Sequence, residues 1–179
     1  MKKILQIIAV SAFVLIGLTF NTKAQNMSDI LYIELKDGMV AIEMKPDVAP
    51  KHVERIKKLA NEGFYDDIVF HRVIDGFMAQ TGDPTGTGTG GSMEPDLPAE
   101  FNDTNFGRGA VGMARTSDPN SANSQFFICF DDCSFLNGQY TVWGQVIEGM
   151  EHVDAITRGE PPRNPDKMIK VSVGGQSKK

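Results

Sequence analysis

Hydrophobic and polar positions alternate with the period of a strand along most of this chain. Leu31, Ile33 and Leu35 alternate up to Asp37-Gly38, and Val40, Ile42 and Met44 alternate away from it. This predicts a hairpin over residues 29–45 with a two-residue turn, Leu35 facing Val40, Ile33 facing Ile42 and Leu31 facing Met44. Pro46 and Pro50 end it, and the period changes. Over Lys51 to Glu62 the apolar positions Val53, Ile56, Leu59 and Ala60 form a helical stripe closed by Gly63. His52, on the first turn, is expected at the surface.

A second hairpin is predicted where extended segments from Ile68 to Ile74 and from Phe77 to Gly82 flank Asp75-Gly76. Alternation puts Met78 and Gln80 on one face and Phe77 and Ala79 on the other. Gly82 to Glu100 reads as a long loop rich in Gly, Thr and Pro. Further strands are predicted over Ala110 to Ala114, Gln125 to Phe130, Thr141 to Ile147 and Met168 to Val173, with a short helix from Met150 to Thr157. In the 125–130 strand, Phe126, Ile128 and Phe130 share a core face, while Gln125, Phe127 and Cys129 share the other. The tally is eight strands and two helices without β-α alternation. The fold class is therefore mainly β, a closed eight-stranded antiparallel barrel capped by two helices.

The amino end follows a different rule. Lys2 and Lys3 precede an apolar run from Ile4 to Phe20, and Thr22 and Ala24 are small residues placed for cleavage before Gln25. Residues 1–24 are expected to be a signal peptide and residues 25–179 a single domain, in a periplasm or secreted. The alternative is a retained anchor, since the apolar run reaches the lower limit for spanning a bilayer. Cleavage leaves 15 basic residues against 23 acidic ones, a net charge of −8. Such a domain has no basic cluster for nucleic acid and no membrane affinity of its own.

Cys129 and Cys133 are the two cysteines, one in a predicted strand and one in the loop after it; whether they pair is left open. His52, His71 and His152 are scattered, which disfavours a metal site. Gly86, Gly88 and Gly91 spell G-x-G-x-x-G, but Asp83-Pro84 precedes them and Met93 to Pro98 follows. No strand–turn–helix unit surrounds the motif, so nucleotide binding is rejected.

Arg72 and Gln80 stand among apolar residues of the second hairpin. An isolated guanidinium is rarely placed there without a partner, so the hairpin reads either as a binding surface or as a strand whose arginine reaches solvent. The blocks F-H-R-V-I-D-G-F-M-A-Q-T-G-D at 70–83, G-T-G-G at 88–91, G-M-A at 112–114 and S-Q-F-F-I at 124–128, with the loop at Leu136, decide the matter. Together they make the chain resemble the cyclophilin-type peptidyl-prolyl cis-trans isomerases over nearly its whole mature length, in that family's bacterial branch.

The resemblance implies an isomerase of X-Pro bonds assisting the folding of exported proteins, needing no cofactor or metal. Its partners would be proline-containing segments of unfolded or exported proteins, and the chain would act as a monomer. It implies Arg72 as the catalytic residue and Phe77, Met78, Phe127 and Leu136 as the proline pocket. Gln80 and Gln125 would be polar contacts to substrate, and Gly88 and Ala114 the lining of a neighbouring subsite. Arg115 stands where the family usually has Asn, a position used mainly through its backbone, and Thr116 follows it along the substrate. Phe135 replaces a tryptophan, which implies weak cyclosporin binding, and Tyr140 replaces a histidine at the pocket rim. A non-catalytic module gripping proline segments is the rival reading. A hydrolase is set aside, because no G-x-S-x-G and no credible Ser–His or Cys–His pair occurs.

Overall fold

A computed structural model describes residues 27–174. The expected signal segment lies outside the described residues. Eight antiparallel strands form one sheet: β1 (Ile30–Leu35), β2 (Gly38–Met44), β3 (Arg72–Ile74), β4 (Met78–Thr81), β5 (Ala110–Met113), β6 (Phe126–Cys129), β7 (Val142–Glu148) and β8 (Lys170–Val173). Their order across the sheet is β3-β4-β6-β5-β7-β2-β1-β8. Helix α1 (Pro50–Asn61) follows β2, and the short α2 (Met150–Asp154) follows β7.

The sheet curls, but no continuous ladder joins its edge strands β3 and β8. The gap is bridged by irregular chain instead, with Val69 opposite Lys167 and Val73 opposite Gly159. The expected closed barrel is thus an open, strongly curled sheet. Phe70 N–H donates to Asp166 O at 2.8 Å and Met168 N–H to Ile68 O at 2.9 Å, which satisfies edge groups that would otherwise face solvent unpaired. The predicted 68–74 strand is accordingly regular only over its last three residues.

Two sequence expectations about register need correction. In the first hairpin Leu35 pairs with Gly38, Ile33 with Val40 and Leu31 with Ile42, so the turn is Lys36-Asp37. The predicted pairing was two residues out of step. A slip of two keeps every side chain on its own face, so the apolar pattern cannot distinguish the two registers. In the second hairpin Ile74 pairs with Met78, which makes Asp75-Gly76-Phe77 a three-residue turn with Gly76 at φ 67°. Phe77 therefore lies in the turn, released from the alternation that would have set it opposite Met78.

Buried apolar side chains divide into two clusters, one on each face of the curled sheet. The larger contains Leu31, Ile33, Ile42, Phe126, Ile128 and Phe130, with the α1 stripe Val53, Ile56, Leu59 and Ala60 packed into it. The smaller holds Met78, Phe106, Phe127, Cys129, Cys133 and Leu136, with Phe77 and Tyr140 packed against it. Alternation along β6 sorts its residues between the two, as the sequence predicts. Both cysteines are buried free thiols.

His52 is not at the surface. Its ring is fully buried, and Nδ1 lies 2.7 Å from Glu100 Oε2. Glu100 also accepts the Lys51 and His52 backbone N–H groups at 3.2 and 3.1 Å, supplying the first turn of α1 with a carboxylate cap from a distant loop.

Candidate active site

The smaller cluster opens outward as a hollow of about 210 Å³, lined by Arg72, Phe77, Met78, Gln80, Ala114, Arg115, Phe127, Leu136 and Tyr140. It is compact, suited to one ring-sized side chain rather than a drug-sized ligand. Met78 and Phe127 reach it from the paired strands β4 and β6. Leu136 comes from a 3-10 turn over Ser134–Leu136, and Phe77 from the turn that frees it. Phe106 stacks behind Phe127, ring centres 5.7 Å apart at 20°, and Tyr140 meets Phe127 edge-on at 5.8 Å. Phe135 lies outside this lining, exposed at the rim and tilted against Phe77 at 5.4 Å.

Arg72 forms one wall. Gln80 is its register partner across the hairpin, and Arg72 Nη1 donates to Gln80 Oε1 at 3.4 Å. Gln80 Nε2 donates to Gln125 Oε1 at 2.9 Å. Gln125 Nε2 in turn donates to Gly90 O at 2.8 Å and to Gly88 O at 3.1 Å. A polar line thus runs from the guanidinium through two amides to the glycine-rich loop. Both glutamines are tied within the protein, a constraint the sequence did not reveal.

A second hollow of about 460 Å³ continues beyond Gln80, lined by Gly88, Ala114, Arg115, Thr116, Ser121, Asn123 and Gln125 among others. Thr116 N–H donates to Ser121 Oγ at 2.9 Å. The Arg115 side chain also has work: its guanidinium lies 4.4 Å from the centre of the Tyr140 ring and donates to Gln139 O at 2.8 Å, joining the walls of the two hollows. The structure brings every expected site residue except Phe135 into one of these two connected hollows.

Sequence reasoning missed three residues around this site. Asp83 is buried and accepts the backbone N–H groups of Thr85, Thr87, Gly88 and Gly90 at 2.6 to 3.1 Å, winding the glycine-rich loop around its carboxylate. Burial pushes that carboxyl up, but the donors of Thr85, Gly90 and Gly88 outweigh it and hold it at about 2. Asp followed by alternating Thr and Gly was the available signal. His71 is buried beside Arg72, and burial lowers its pKa, so the ring is neutral at pH 7. Glu160 Oε2 accepts from Arg72 Nε at 2.9 Å. No local pattern could indicate a partner 88 residues away.

Among the described residues no group of three or more His, Cys, Asp or Glu side chains could hold a metal ion. The hollow, with Phe77, Met78, Phe127 and Leu136 in its lining and the Arg72 side chain at its wall, can do something simpler. It can accept a ring and place a strong hydrogen-bond donor beside it, in a setting partly cleared of water.

Comparison with known proteins agrees with this geometry. The family model for cyclophilin-type peptidyl-prolyl cis-trans isomerases matches residues 30–173. A Brucella suis protein named "Probable peptidyl-prolyl cis-trans isomerase" is 51% identical over 189 aligned positions, covering 96% of each chain. Peptidyl-prolyl cis-trans isomerase B of Bacillus subtilis is 42% identical over 72% of this chain and 91% of its own. Among solved structures, a Cryptosporidium parvum cyclophilin crystallised in the presence of the dipeptide Ala-Pro superposes with a TM-score of 0.76 at 28% identity, over 82% of this chain and 99% of that one. A cyclophilin from Hirschia baltica gives 0.77 at 29% identity, over 83% and 74%. Fold, hollow and relatives agree: the chain belongs to the cyclophilin-type peptidyl-prolyl cis-trans isomerases.

Proposed function

We propose that this chain catalyses the cis–trans isomerisation of X-Pro bonds with Arg72 as its catalytic residue. The observation that carries the assignment is the Arg72 guanidinium standing in the wall of a ring-sized apolar hollow.

Rotation about an X-Pro bond must break amide resonance, a barrier of ~18–20 kcal/mol. Uncatalysed, it takes tens to hundreds of seconds. Midway, the prolyl nitrogen regains its lone pair and becomes a hydrogen-bond acceptor. Phe77, Met78, Phe127 and Leu136 hold the pyrrolidine ring, and Arg72 donates to that lone pair. The planar ground state offers no such acceptor, so the bond lowers the barrier rather than merely increasing affinity. Gln80, Gln125, Gly88, Ala114, Arg115 and Thr116 carry the flanking peptide along the second hollow, and Phe135 and Tyr140 border the ring. No covalent intermediate is formed.

The amino-terminal lysine pair, apolar run and small-residue site support export, with cleavage after Ala24 releasing residues 25–179. The substrates are then proline-containing segments of exported proteins, folded in the periplasm by a monomeric enzyme. Mass spectrometry of the purified protein reads the cleavage point directly.

A protease-coupled proline-peptide assay tests the catalytic claim. One donor of this kind is worth about 3–4 kcal/mol, so Arg72→Ala should lower kcat/KM by roughly a hundred- to a thousandfold. A near-normal rate in that variant refutes the role. Peptide binding without turnover in the unaltered protein would make it a proline-gripping module instead.

A further inference from the structure

The Arg72 side chain is 40% exposed and has several rotatable bonds, so something must hold its guanidinium toward the apolar hollow. Gln80 is the obvious candidate, but its contact is long at 3.4 Å and joins a neutral amide. The Glu160 contact is shorter, at 2.9 Å, and joins two opposite charges. Charge-assisted bonds of that length are roughly twice as strong as neutral ones. Of the two ties on Arg72, the one from Glu160 is thus the shorter and the charge-assisted one, with solvent at this half-exposed pair limiting its worth.

Glu160 is delivered by a built piece of backbone. Val73, next to Arg72 on β3, exchanges two hydrogen bonds with Gly159, each of 2.8 Å. Gly159 has φ 150°, and a Cβ there would lie 2.5 Å from Pro162 Cα. The position thus requires glycine, and the chain is locked to β3 one residue before the carboxylate. The donor count also fits. Nε is used by Glu160 and one Nη1 hydrogen by Gln80, which leaves three N–H groups for substrate.

Beside Arg72 lies a third hollow, of about 300 Å³, walled by His71, Gly86, Thr87, Gly88, Pro161 and Glu160 itself, so the carboxylate fixes Nε at the boundary between this hollow and the ring-sized one. Arg72 and Gln80 belong to this hollow and to the ring-sized one alike. An untied guanidinium has room to swing into it, away from the prolyl nitrogen. His71 offers it no competing charge, since the buried ring is neutral.

We propose that Glu160 is a positioning residue for catalysis, holding Arg72 through Nε so that its remaining donors point at the prolyl nitrogen. The proposal rests on the isomerase reading above. Glu160 itself lines neither the ring-sized hollow nor the second one. Its side chain is half exposed, and the Val73–Gly159 tether, made by backbone groups alone, does not depend on it.

Glu160→Ala, Glu160→Gln and the unaltered protein would be compared by peptide isomerisation and by the 15N-labelled Arg72 Nε–H resonance. Glu160→Ala should lower kcat three- to fivefold with little change in KM, and the Nε–H signal should broaden through solvent exchange. Glu160→Gln, whose amide oxygen still accepts from Nε, should recover at least half the lost kcat and the sharp signal. All three should melt together. Wild-type kcat in Glu160→Ala overturns the proposal, whatever the resonance does, and so does an unchanged resonance. If the unaltered protein isomerises no peptide, the isomerase reading falls, while the resonance still decides whether Glu160 holds the guanidinium.

Discussion

Arg72 and Gln80 face each other as register partners across the β3–β4 hairpin, and that pairing brings Gln80 Oε1 to Arg72 Nη1. The same amide donates to Gln125, so Gln80 links the guanidinium to the glycine-rich loop. A hydrogen bond of this type contributes about 0.5–1.5 kcal/mol net, so Gln80→Leu should lower kcat/KM roughly three- to tenfold. In an Arg72→Ala background the same change should cost less, because the part of the effect that the amide exerts through the arginine is already gone and only its own contact with the peptide remains. Equal losses in both backgrounds would show that Gln80 acts on substrate independently.

The strands and both faces of β6 were legible because Phe126, Ile128 and Phe130 alternate strictly with Phe127 and Cys129. What was illegible depended on relations that alternation does not encode. The first hairpin's register differs from the expected one by two residues, a change invisible to a pattern of period two. Phe77 joins Met78 at one hollow because the turn takes three residues instead of two. His52 looked like an exposed helix residue because its partner, Glu100, lies 48 positions along a loop. Most of the candidate site lies within whole motif blocks. Those blocks placed Arg72, Phe77, Met78, Gln80 and Phe127, but not Glu160, which lies outside them.

Gly112 supplies a test of how closely the hollow's floor is packed. It is the register partner of Phe127 on β5, and a Cβ there would lie 2.5 Å from both Phe106 and Phe127. Neither ring can retreat freely, since Phe106 is wholly buried and stacked on Phe127. Gly112→Ala must then push Phe127 toward the prolyl site. Overpacking of this kind costs about 1–3 kcal/mol. The melting temperature should fall, and KM for proline peptides should rise more than kcat falls. A variant with unaltered KM would place the displaced ring elsewhere.

Acid should weaken the fold in two separable windows. The first comes from His52, whose pKa is lowered by burial even though Glu100 pulls it the other way. A group depressed in the folded state takes up its proton more readily when unfolded, so its contribution is complete above about 6.5 and declines as pH falls below that. His71 shifts in the same direction and shares this window. The second comes from Asp83, held at about 2 against an ordinary 3.8. Its contribution is complete above the ordinary value and is lost as pH falls from there toward 2. From the shift it is on the order of 2–2.5 kcal/mol. Urea midpoints measured from pH 8 down to pH 2.5 should therefore show two descending limbs. His52→Gln should flatten part of the upper limb, leaving the share of His71. Asp83→Asn should lower stability throughout the neutral range, because an amide cannot accept four backbone N–H groups as the carboxylate does, and should shrink the lower limb to the share of the other carboxyls held low, Glu100, Asp154 and Asp166 among them. An Asp83→Asn protein whose lower limb is undiminished would show that another carboxylate dominates it, with Glu100, lowered by its bonds from His52 despite burial, the next to test.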